Sequence, residues 1–324
     1  MATVLITGGT GLIGTALTQE LLNRNYNVII LTRKKRDAAY ETASRIPYPA
    51  AHLSYSTWNI EEQTIDKDAI AKADYIIHLA GAGVADKRWT KKRKLEIIDS
   101  RVKSSELLIK ALKENENKVK AVISSSAIGW YLTPNPSLQS GEGNQPRKLV
   151  ESNPPASDFL GTTCQKWEAS LEPIKALNKR LVKIRTGIVL SNEGGAIAEF
   201  VKPLRFGFAT ILGSGNQIIS WIHIDDLVRI YIAAIENEAM NGVYNAVAPA
   251  PVSNKELVLQ LAKEKRKNFF IPVHVPSWVL KLILGEMSIE VLKSAAISCD
   301  KISETGFSFL YPTIDTAIRK LAAS

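Results

Sequence analysis

The feature that most constrains this chain is a glycine-rich segment near its start, Thr7-Gly8-Gly9-Thr10-Gly11-Leu12-Ile13-Gly14. It follows a short apolar run at residues 4–6 and precedes a stretch with apolar residues at helical spacing. In a turn between a strand and a helix, the first glycine permits the tight turn and the second lets the backbone approach a pyrophosphate. The third lets the helix pack on the strand, and the helix dipole favours the anion. The segment therefore predicts a dinucleotide site formed by Gly8, Thr10, Gly11, Leu12, Ile13 and Gly14.

The remaining pattern predicts an α/β fold. Apolar runs at residues 4–6, 28–31, 75–79 and 119–124 alternate with stretches of helical periodicity. This alternation is typical of a doubly wound, Rossmann-type parallel sheet with helices on both faces. Beyond residue 187, glycines interrupt the pattern. We expect a dinucleotide-binding domain at 1–187 with returning elements at 224–248, and a smaller C-terminal α/β substrate lobe formed by 188–223 and 249–324.

The end of the second predicted strand indicates which dinucleotide is bound. An NAD-preferring site places an acidic residue here to accept the ribose 2′-hydroxyl, whereas this chain has Arg33 and Lys34. These cations suit the 2′-phosphate of NADP(H), which is the predicted cofactor; the alternative is a solvated basic loop. Asn59 and Ile60 end the third strand, where adenine usually lies. Leu79-Ala80-Gly81 end the fourth, facing the diphosphate and the nicotinamide ribose.

Composition excludes several classes of protein. The 324 residues are 45% hydrophobic and 23% charged, which is ordinary for a globular chain. No apolar run is long enough for a membrane span, so we expect no membrane partner. No basic region precedes an apolar segment, and we expect no secretory signal. The two cysteines form neither a disulfide framework nor a metal motif, so we expect no metal and a cytoplasmic location.

The formal net charge of +9 has two interpretations. Part of it comes from the basic run at residues 87–94, which is either a nucleic-acid patch or the solvated start of a helix. No nucleic-acid-binding motif accompanies the run, so we expect no nucleic-acid partner. A surplus of cations also suits a protein whose ligand carries phosphates.

Several motifs carry a family resemblance. The glycine turn, His78-Leu79-Ala80-Gly81 and Ser124-Ser125-Ser126-Ala127 resemble the extended short-chain dehydrogenase/reductases, the epimerase/dehydratase branch. A closer resemblance is to the atypical YfcH-like epimerase-family proteins. It rests on Arg88-Trp89-Thr90, Trp167-Glu168, Arg185-Thr186-Gly187 and residues 220–227. The segment from Gly285 to Pro312 resembles that subgroup's C-terminal domain of unknown function. The resemblance spans nearly the whole chain and implies an NADP(H)-dependent oxidoreductase or nucleotide-sugar-epimerase-like protein acting on an unknown small molecule.

The catalytic residues of that branch are only partly present. The branch uses a serine or threonine together with a Tyr-x-x-x-Lys pair, the tyrosine serving as acid and base. Ser126 matches the first position, whereas Leu160 and Cys164 stand where the tyrosine and lysine belong. Tyr131 is a candidate substitute proton donor or a packing aromatic. We therefore name Ser126 and Tyr131 as catalytic candidates.

Further residues have two interpretations each. Arg101 either reaches the substrate or cofactor or pairs with a carboxylate. His223 is either a substitute acid or a structural histidine, and Cys164 either a nucleophile or a core cysteine. The resemblance adds Arg101, Ser124, Arg185 and Gly187 to the cofactor site. Two functions remain open: an NADP(H)-dependent enzyme, or a non-catalytic NADP(H)-binding redox sensor or scaffold. A homodimer is one assembly that the sequence leaves open.

Overall fold

The computed structural model describes residues 1–33, 52–131, 148–267 and 269–323. Its strands are β1 Thr3–Thr7, β2 Asn27–Thr32, β3 Leu53–Asn59, β4 Thr64–Ile65, β5 Tyr75–His78, β6 Ala121–Ala127, β7 Arg180–Thr186, β8 Ile188–Ser191, β9 Gly194–Gly195, β10 Phe208–Leu212, β11 Ile218–Ile219, β12 Trp221–His223, β13 Gly242–Ala246, β14 Val252–Ser253 and β15 Ile271–Val275.

Its helices are α1 Leu12–Asn23, α2 Lys67–Lys72, α3 Lys91–Glu114, α4 Phe159–Leu171, α5 Ala196–Leu204, α6 Ile224–Glu236, α7 Asn254–Arg266, α8 Ser277–Leu284, α9 Ser288–Val291, α10 Asp300–Ser303 and α11 Ile314–Ala323. Three 3₁₀ turns are found in the described ranges, at Ile128–Trp130, Glu172–Leu177 and Gly285–Met287.

The main sheet confirms the predicted fold class. Within the described residues its strand order is β13-β7-β6-β5-β1-β2-β3-β4, and every pairing is parallel except that of β3 with β4. The chain moves outward in one direction from β1 to β3 and then in the other from β5 to β7. The order therefore reverses between β1 and β5. Ligands of doubly wound sheets bind beyond the carboxyl ends of the strands at such a reversal.

Apolar side chains on the two faces of this sheet explain why the helices pack there. One core cluster joins β1 and β2 to α1 and α6, with Leu17 and Leu21 of α1 fully buried. A second cluster on the other face contains buried residues of α2, α3 and α4. Full burial of one such leucine contributes about 1.5–3 kcal/mol to the free energy of folding. These two apolar layers therefore hold the helices against the sheet.

The smaller lobe has its own core and short sheets. β8 pairs with β12 and β9, β10 pairs with β15, and β11 pairs with β14. A third apolar cluster lies between α5, α7 and α11. The step from β7 to β8 occurs at Gly187, where a Cβ would lie 2.9 Å from both the Ser220 carbonyl oxygen and Val247 Cγ1. The two sheets are therefore joined where three segments cross in close contact.

Several boundaries differ from those that periodicity predicts. The strand expected at 119–124 runs from Ala121 to Ala127, so Ser126 lies within the sheet. The helix α4 ends at Leu171, and the chain continues as a 3₁₀ turn with Pro173 near its start. Proline lacks an N–H and disrupts a continuing α-helix, which accounts for the change. No helix in the described ranges is both long and apolar enough to cross a membrane.

Candidate functional site

The glycine turn lies at the reversal of strand order, between the ends of β1 and β5. Gly8 has φ +71°, and a Cβ there would lie 2.9 Å from the Leu79 carbonyl carbon. A Cβ on Gly14 would lie 2.4 Å from the Gly8 carbonyl oxygen. A Cβ on Gly11 would meet only that same oxygen, at 3.4 Å. The fold itself therefore requires glycine at 8 and 14, whereas the space beside Gly11 is left open.

The N-terminus of α1 opens on this space. Gly11 is the N-cap and supplies no side-chain hydrogen bond to the first turn. The first N–H groups of a helix have no intrahelical partner, and together with the dipole they favour an anion. An open cradle beside a helix terminus without a side-chain cap fits the pyrophosphate of a dinucleotide. The predicted residues Thr10, Leu12 and Ile13 lie on this turn, with Thr10 exposed.

The ends of β1 and β5 are joined by a side-chain network that the sequence did not reveal. Thr7 Oγ1 accepts from the amides of Leu79 and Ala80, at 3.2 and 3.1 Å, and lies 2.7 Å from His78 Nδ1. The Thr7 hydroxyl therefore donates to Nδ1, as assigned from the network. Burial, with a smaller effect of Arg101, lowers the pKa of His78 to about 3, so the ring is neutral. This network fixes residues 79–81 against the glycine turn.

Arg101 contacts the segment that follows β5. Its Nη1 donates to the carbonyl oxygens of Ala82 and Ile97, at 3.1 and 2.9 Å. Its guanidinium carbon lies 5.0 Å from the centroid of the Trp167 ring, and a Cβ on Gly81 would lie 3.1 Å from that carbon. Within the described residues Arg101 thus contacts backbone carbonyls, and not the carboxylate of the second interpretation. A direct contact with cofactor stays a prediction.

Ser126 donates to a buried carboxylate. Its hydroxyl lies 2.7 Å from Glu168 Oε1, and both residues are less than 5% exposed. Arg185 Nε donates to Oε1 at 2.8 Å and its Nη2 to Oε2 at 3.1 Å, while Lys183 Nζ lies 3.6 Å from Oε2. The carboxylate is thereby paired and hydrogen-bonded, which a buried charge requires. The Ser126 hydroxyl therefore belongs to an ion-pair network.

Tyr131 belongs to the same network. Its hydroxyl donates to Asn245 Oδ1 at 2.6 Å and accepts from Arg185 Nη1 at 3.0 Å. The Arg185 guanidinium also stacks 3.7 Å from the centroid of the Trp130 ring. Burial raises the pKa of Tyr131 to about 12, although Arg185 opposes the shift. In this arrangement the phenol is protonated and its proton is directed at Asn245.

Leu160 and Cys164 pack against the turn that follows Ser126. A Cβ on Gly129 would lie 3.1 Å from Leu160 Cβ and 3.8 Å from Cys164 Sγ. The Cys164 thiol donates to the Ala127 carbonyl oxygen at 3.7 Å, and burial raises its pKa to about 12. A buried thiol with a raised pKa is a poor nucleophile, so the geometry favours the core interpretation of Cys164.

Of the other predicted cofactor residues, Arg33, Asn59, Ile60 and Gly187 lie at the carboxyl ends of strands, whereas Ser124 lies within β6. Arg33 is exposed just after β2, and Lys34 lies outside the described residues. Asn59 Oδ1 accepts from the amides of residues 61 and 62, at 3.0 and 3.2 Å, which places its amide oxygen in a local turn. Ile60 packs beside the second core cluster. Ser124 is buried and donates to a neighbouring carbonyl oxygen, and Gly187 lies at the step between the sheets.

His223 forms the N-cap of α6. Its Nδ1 accepts from the Asp225 amide at 3.2 Å, and its ring lies 4.0 Å from that of Tyr311. Burial lowers its pKa, against the opposing effect of Asp225. This contact fits the structural interpretation of His223. Glu168 and Asn245 are site residues that the sequence did not single out, because nothing in the local pattern indicates which distant side chains they contact.

Several side chains join the C-terminal lobe to the dinucleotide-binding half of the chain. Lys94 Nζ lies 2.5 Å from Glu286, and Lys293 Nζ lies 2.7 Å from Asp158, the N-cap of α4. Arg88 Nη2 donates to a carbonyl oxygen of α8 at 3.3 Å. The basic run at 87–94 therefore starts a helix, as the second interpretation of its charge predicts, and also joins the C-terminal lobe.

Comparison with known proteins identifies the family. The NAD dependent epimerase/dehydratase family matches residues 4–152, and a domain of unknown function, DUF1731, matches residues 275–321. "Epimerase family protein SSP1921" of Staphylococcus saprophyticus is 34% identical, over 98% of both chains. The chain belongs to this epimerase family.

Two solved structures of similar proteins add to this. Human epimerase family protein SDR39U1, crystallised with NADPH, has a TM-score of 0.82 and 29% identity, covering 99% of both chains. A Corynebacterium glutamicum protein described as a nucleoside-diphosphate sugar epimerase has a TM-score of 0.73 and 28% identity. The match covers 99% of this chain and 58% of that one. The expected resemblance to the epimerase family with its C-terminal domain of unknown function is confirmed.

Proposed function

We propose that this epimerase-family chain binds NADP(H) on the glycine turn. The observation that carries the proposal is the cradle at Gly11, where the fold leaves room for a side chain and the sequence supplies none. The helix N-terminus beside it would hold the pyrophosphate, and residues 79–81, fixed by Thr7, would face the neighbouring ribose. The NADPH in the human relative supports the same assignment.

The preference for NADP(H) over NAD(H) rests on charge. Arg33 is exposed after β2 and, within the described residues, forms no ion pair, so its guanidinium is available to a 2′-phosphate. Lys34 would add a second cation. A bound nicotinamide supplies hydride chemistry; the chain's own contribution here is to bind and orient the dinucleotide.

We further propose that NADP(H) binding is the main function of this protein, and that the protein serves as a non-catalytic redox sensor or scaffold. The support is that each candidate acid or base is already engaged. Ser126 donates to Glu168, Tyr131 donates to Asn245, and Leu160 and Cys164 replace the usual pair. Proton transfer requires a group within hydrogen-bond reach whose pKa is near the working pH.

A second candidate is an NADP(H)-dependent enzyme, with Ser126 and Tyr131 as its acid–base residues. The support is the description of the Corynebacterium glutamicum relative as a nucleoside-diphosphate sugar epimerase. In this case substrate binding must break the hydrogen bond of Ser126 with Glu168 and that of Tyr131 with Asn245.

Calorimetry tests the binding proposal. NADPH should bind at least about tenfold more tightly than NADH, a difference of about 1.4 kcal/mol. Arg33→Asp should remove that preference, while Lys72→Asp, an exposed cation of α2, should preserve it. Equal affinities for NADPH and NADH in the unmodified protein contradict the proposed preference.

A turnover assay separates the two functions. NADPH is incubated with a panel of carbonyl compounds and nucleotide sugars, and nicotinamide absorbance and sugar products are followed. Tight NADPH binding without turnover supports the sensor or scaffold. Turnover that falls about 100-fold or more in both Ser126→Ala and Tyr131→Phe, with NADPH affinity retained, supports the enzyme.

A further inference from the structure

Two adjacent loop tips of the C-terminal lobe carry uncovered aromatic side chains. Phe206 precedes β10 and Phe269 precedes β15, and these residues are 79% and 82% exposed. The Ile271 amide donates to the Gly207 carbonyl oxygen at 2.8 Å, which holds the tips side by side. Behind them Phe208 pairs with Ile271 in parallel register, and both are also exposed. We call Phe206, Phe208, Phe269 and Ile271 the phenylalanine patch.

Cations surround the phenylalanine patch. Arg205 immediately precedes Phe206, and Arg266 and Lys267 lie shortly before Phe269; all three cations are exposed. In the part of the chain that the structure describes, none of the three forms an ion pair with a carboxylate. The nearby carboxylates Glu199 and Glu264 are each paired with another cation. The patch therefore combines exposed apolar surface with an excess of positive charge.

The backbone argues against another strand or helix as the occupant. The Ile271 amide points toward β10, so residues 272 and 274 of β15 present their backbone groups to the open edge. Pro272 lacks an N–H and so disfavours the addition of a strand from a peptide or a second copy. An amphipathic helix binds in a groove, whereas side chains about four-fifths exposed project outward.

We propose that the phenylalanine patch binds the surface of an anionic lipid bilayer. The phenyl rings of Phe206 and Phe269 enter the boundary between headgroups and acyl chains, and Arg205, Arg266 and Lys267 contact the anionic headgroups. This binding is peripheral and requires no membrane-spanning helix. It differs from the sequence-based expectation of no membrane partner, and it is independent of the cofactor site at Gly11.

Vesicle sedimentation with the full chain tests the proposal. The protein should sediment with phosphatidylcholine vesicles containing about 30 mol% phosphatidylglycerol, weakly with pure phosphatidylcholine, and less as salt rises. The double variant Phe206→Ala/Phe269→Ala should partition about tenfold or more weakly. Leu95→Ala, which removes a similarly exposed apolar side chain from α3, should partition like the unmodified protein.

A second pair of variants separates local from total charge. Arg205→Glu/Arg266→Glu should lose about tenfold or more of the binding to anionic vesicles. Lys110→Glu/Lys113→Glu makes the same change in net charge on α3 and should lose clearly less. Circular dichroism and NADPH titration of each variant report whether the fold is retained.

Three results would overturn the proposal. The first is equal or absent sedimentation with anionic and neutral vesicles. The second is unchanged binding by Phe206→Ala/Phe269→Ala. The third is a dimer, seen by analytical ultracentrifugation, that this variant abolishes while vesicles bind neither form; the patch would then contact a second copy of the chain.

Discussion

Gly11 and Gly14 lie three residues apart on one turn, yet substitution by alanine should affect different properties. Gly11 has φ −84° and ψ 176°, an extended conformation that alanine adopts without strain, and its Cβ would meet only one oxygen at 3.4 Å. Gly11→Ala should therefore change the free energy of unfolding by no more than about 1 kcal/mol. Because the new methyl group occupies the cradle, NADPH should bind about tenfold or more weakly, a loss of at least about 1.4 kcal/mol. Gly11→Val should abolish detectable binding.

Gly14→Ala should instead destabilise the fold. Its Cβ would lie 2.4 Å from the Gly8 carbonyl oxygen and 2.5 Å from Gly9 Cα, so the backbone must move. Alanine in a helix ordinarily gains about 1 kcal/mol over glycine. The clash should reverse this and lower the free energy of unfolding by about 2–4 kcal/mol. Urea unfolding and NADPH calorimetry measure both quantities. An unchanged NADPH affinity in Gly11→Ala, or a fully stable Gly14→Ala, would refute the reasoning.

Three further predictions concern buried groups. Ser126→Ala removes a hydrogen bond to the Glu168 carboxylate and should lower the free energy of unfolding by about 1.5–3 kcal/mol in urea titration; a loss below about 0.5 kcal/mol contradicts the network. Burial raises the pKa of Cys164 to about 12, so at about pH 8 iodoacetamide should modify that thiol only after unfolding, and peptide mapping that finds it labelled in the native protein disproves this. The pKa of His78 is about 3 in the folded state and 6.5 in the reference state, so the unfolded chain binds the proton first as pH falls. The contribution of His78 to the free energy of unfolding should be nearly constant above about pH 6.5 and should fall by about 2 kcal/mol by about pH 5. His78→Asn should reduce the dependence of the unfolding free energy on pH in this range, and an unchanged dependence argues against the pKa shift.

The parts that sequence predicted are those determined by local pattern. Periodicity predicted the alternation of strands and helices along the chain. The spacing of the glycines predicted the turn that lies at the reversal between β1 and β5. The replacement of tyrosine and lysine by Leu160 and Cys164 was also visible from spacing along one helix. Such features depend on residues within a few turns of one another.

The hydrogen-bond partners of the site could not be predicted in this way. Ser126 meets Glu168 across 42 positions, and Tyr131 meets Asn245 across 114. Only tertiary packing brings these side chains together, and a serine or tyrosine has the same appearance in the sequence whether its hydroxyl is free or engaged. The geometry therefore changed the weight of the two functional hypotheses, while the glycine turn lies at the predicted place in the fold and its role in binding stays a prediction.

The contact at Gly187 has a mechanical consequence for entry of small molecules. Three backbone segments cross there with no space for even a methyl group, so the lobes cannot separate at this point without breaking the sheet junction. The lobes are also joined by the ion pair of Lys94 with Glu286, in which both side chains are partly exposed to water. Partly exposed pairs cost little to open and weaken with ionic strength. Any opening between the lobes should therefore begin at this ion pair, and its rate should increase with salt concentration while the junction at Gly187 stays closed.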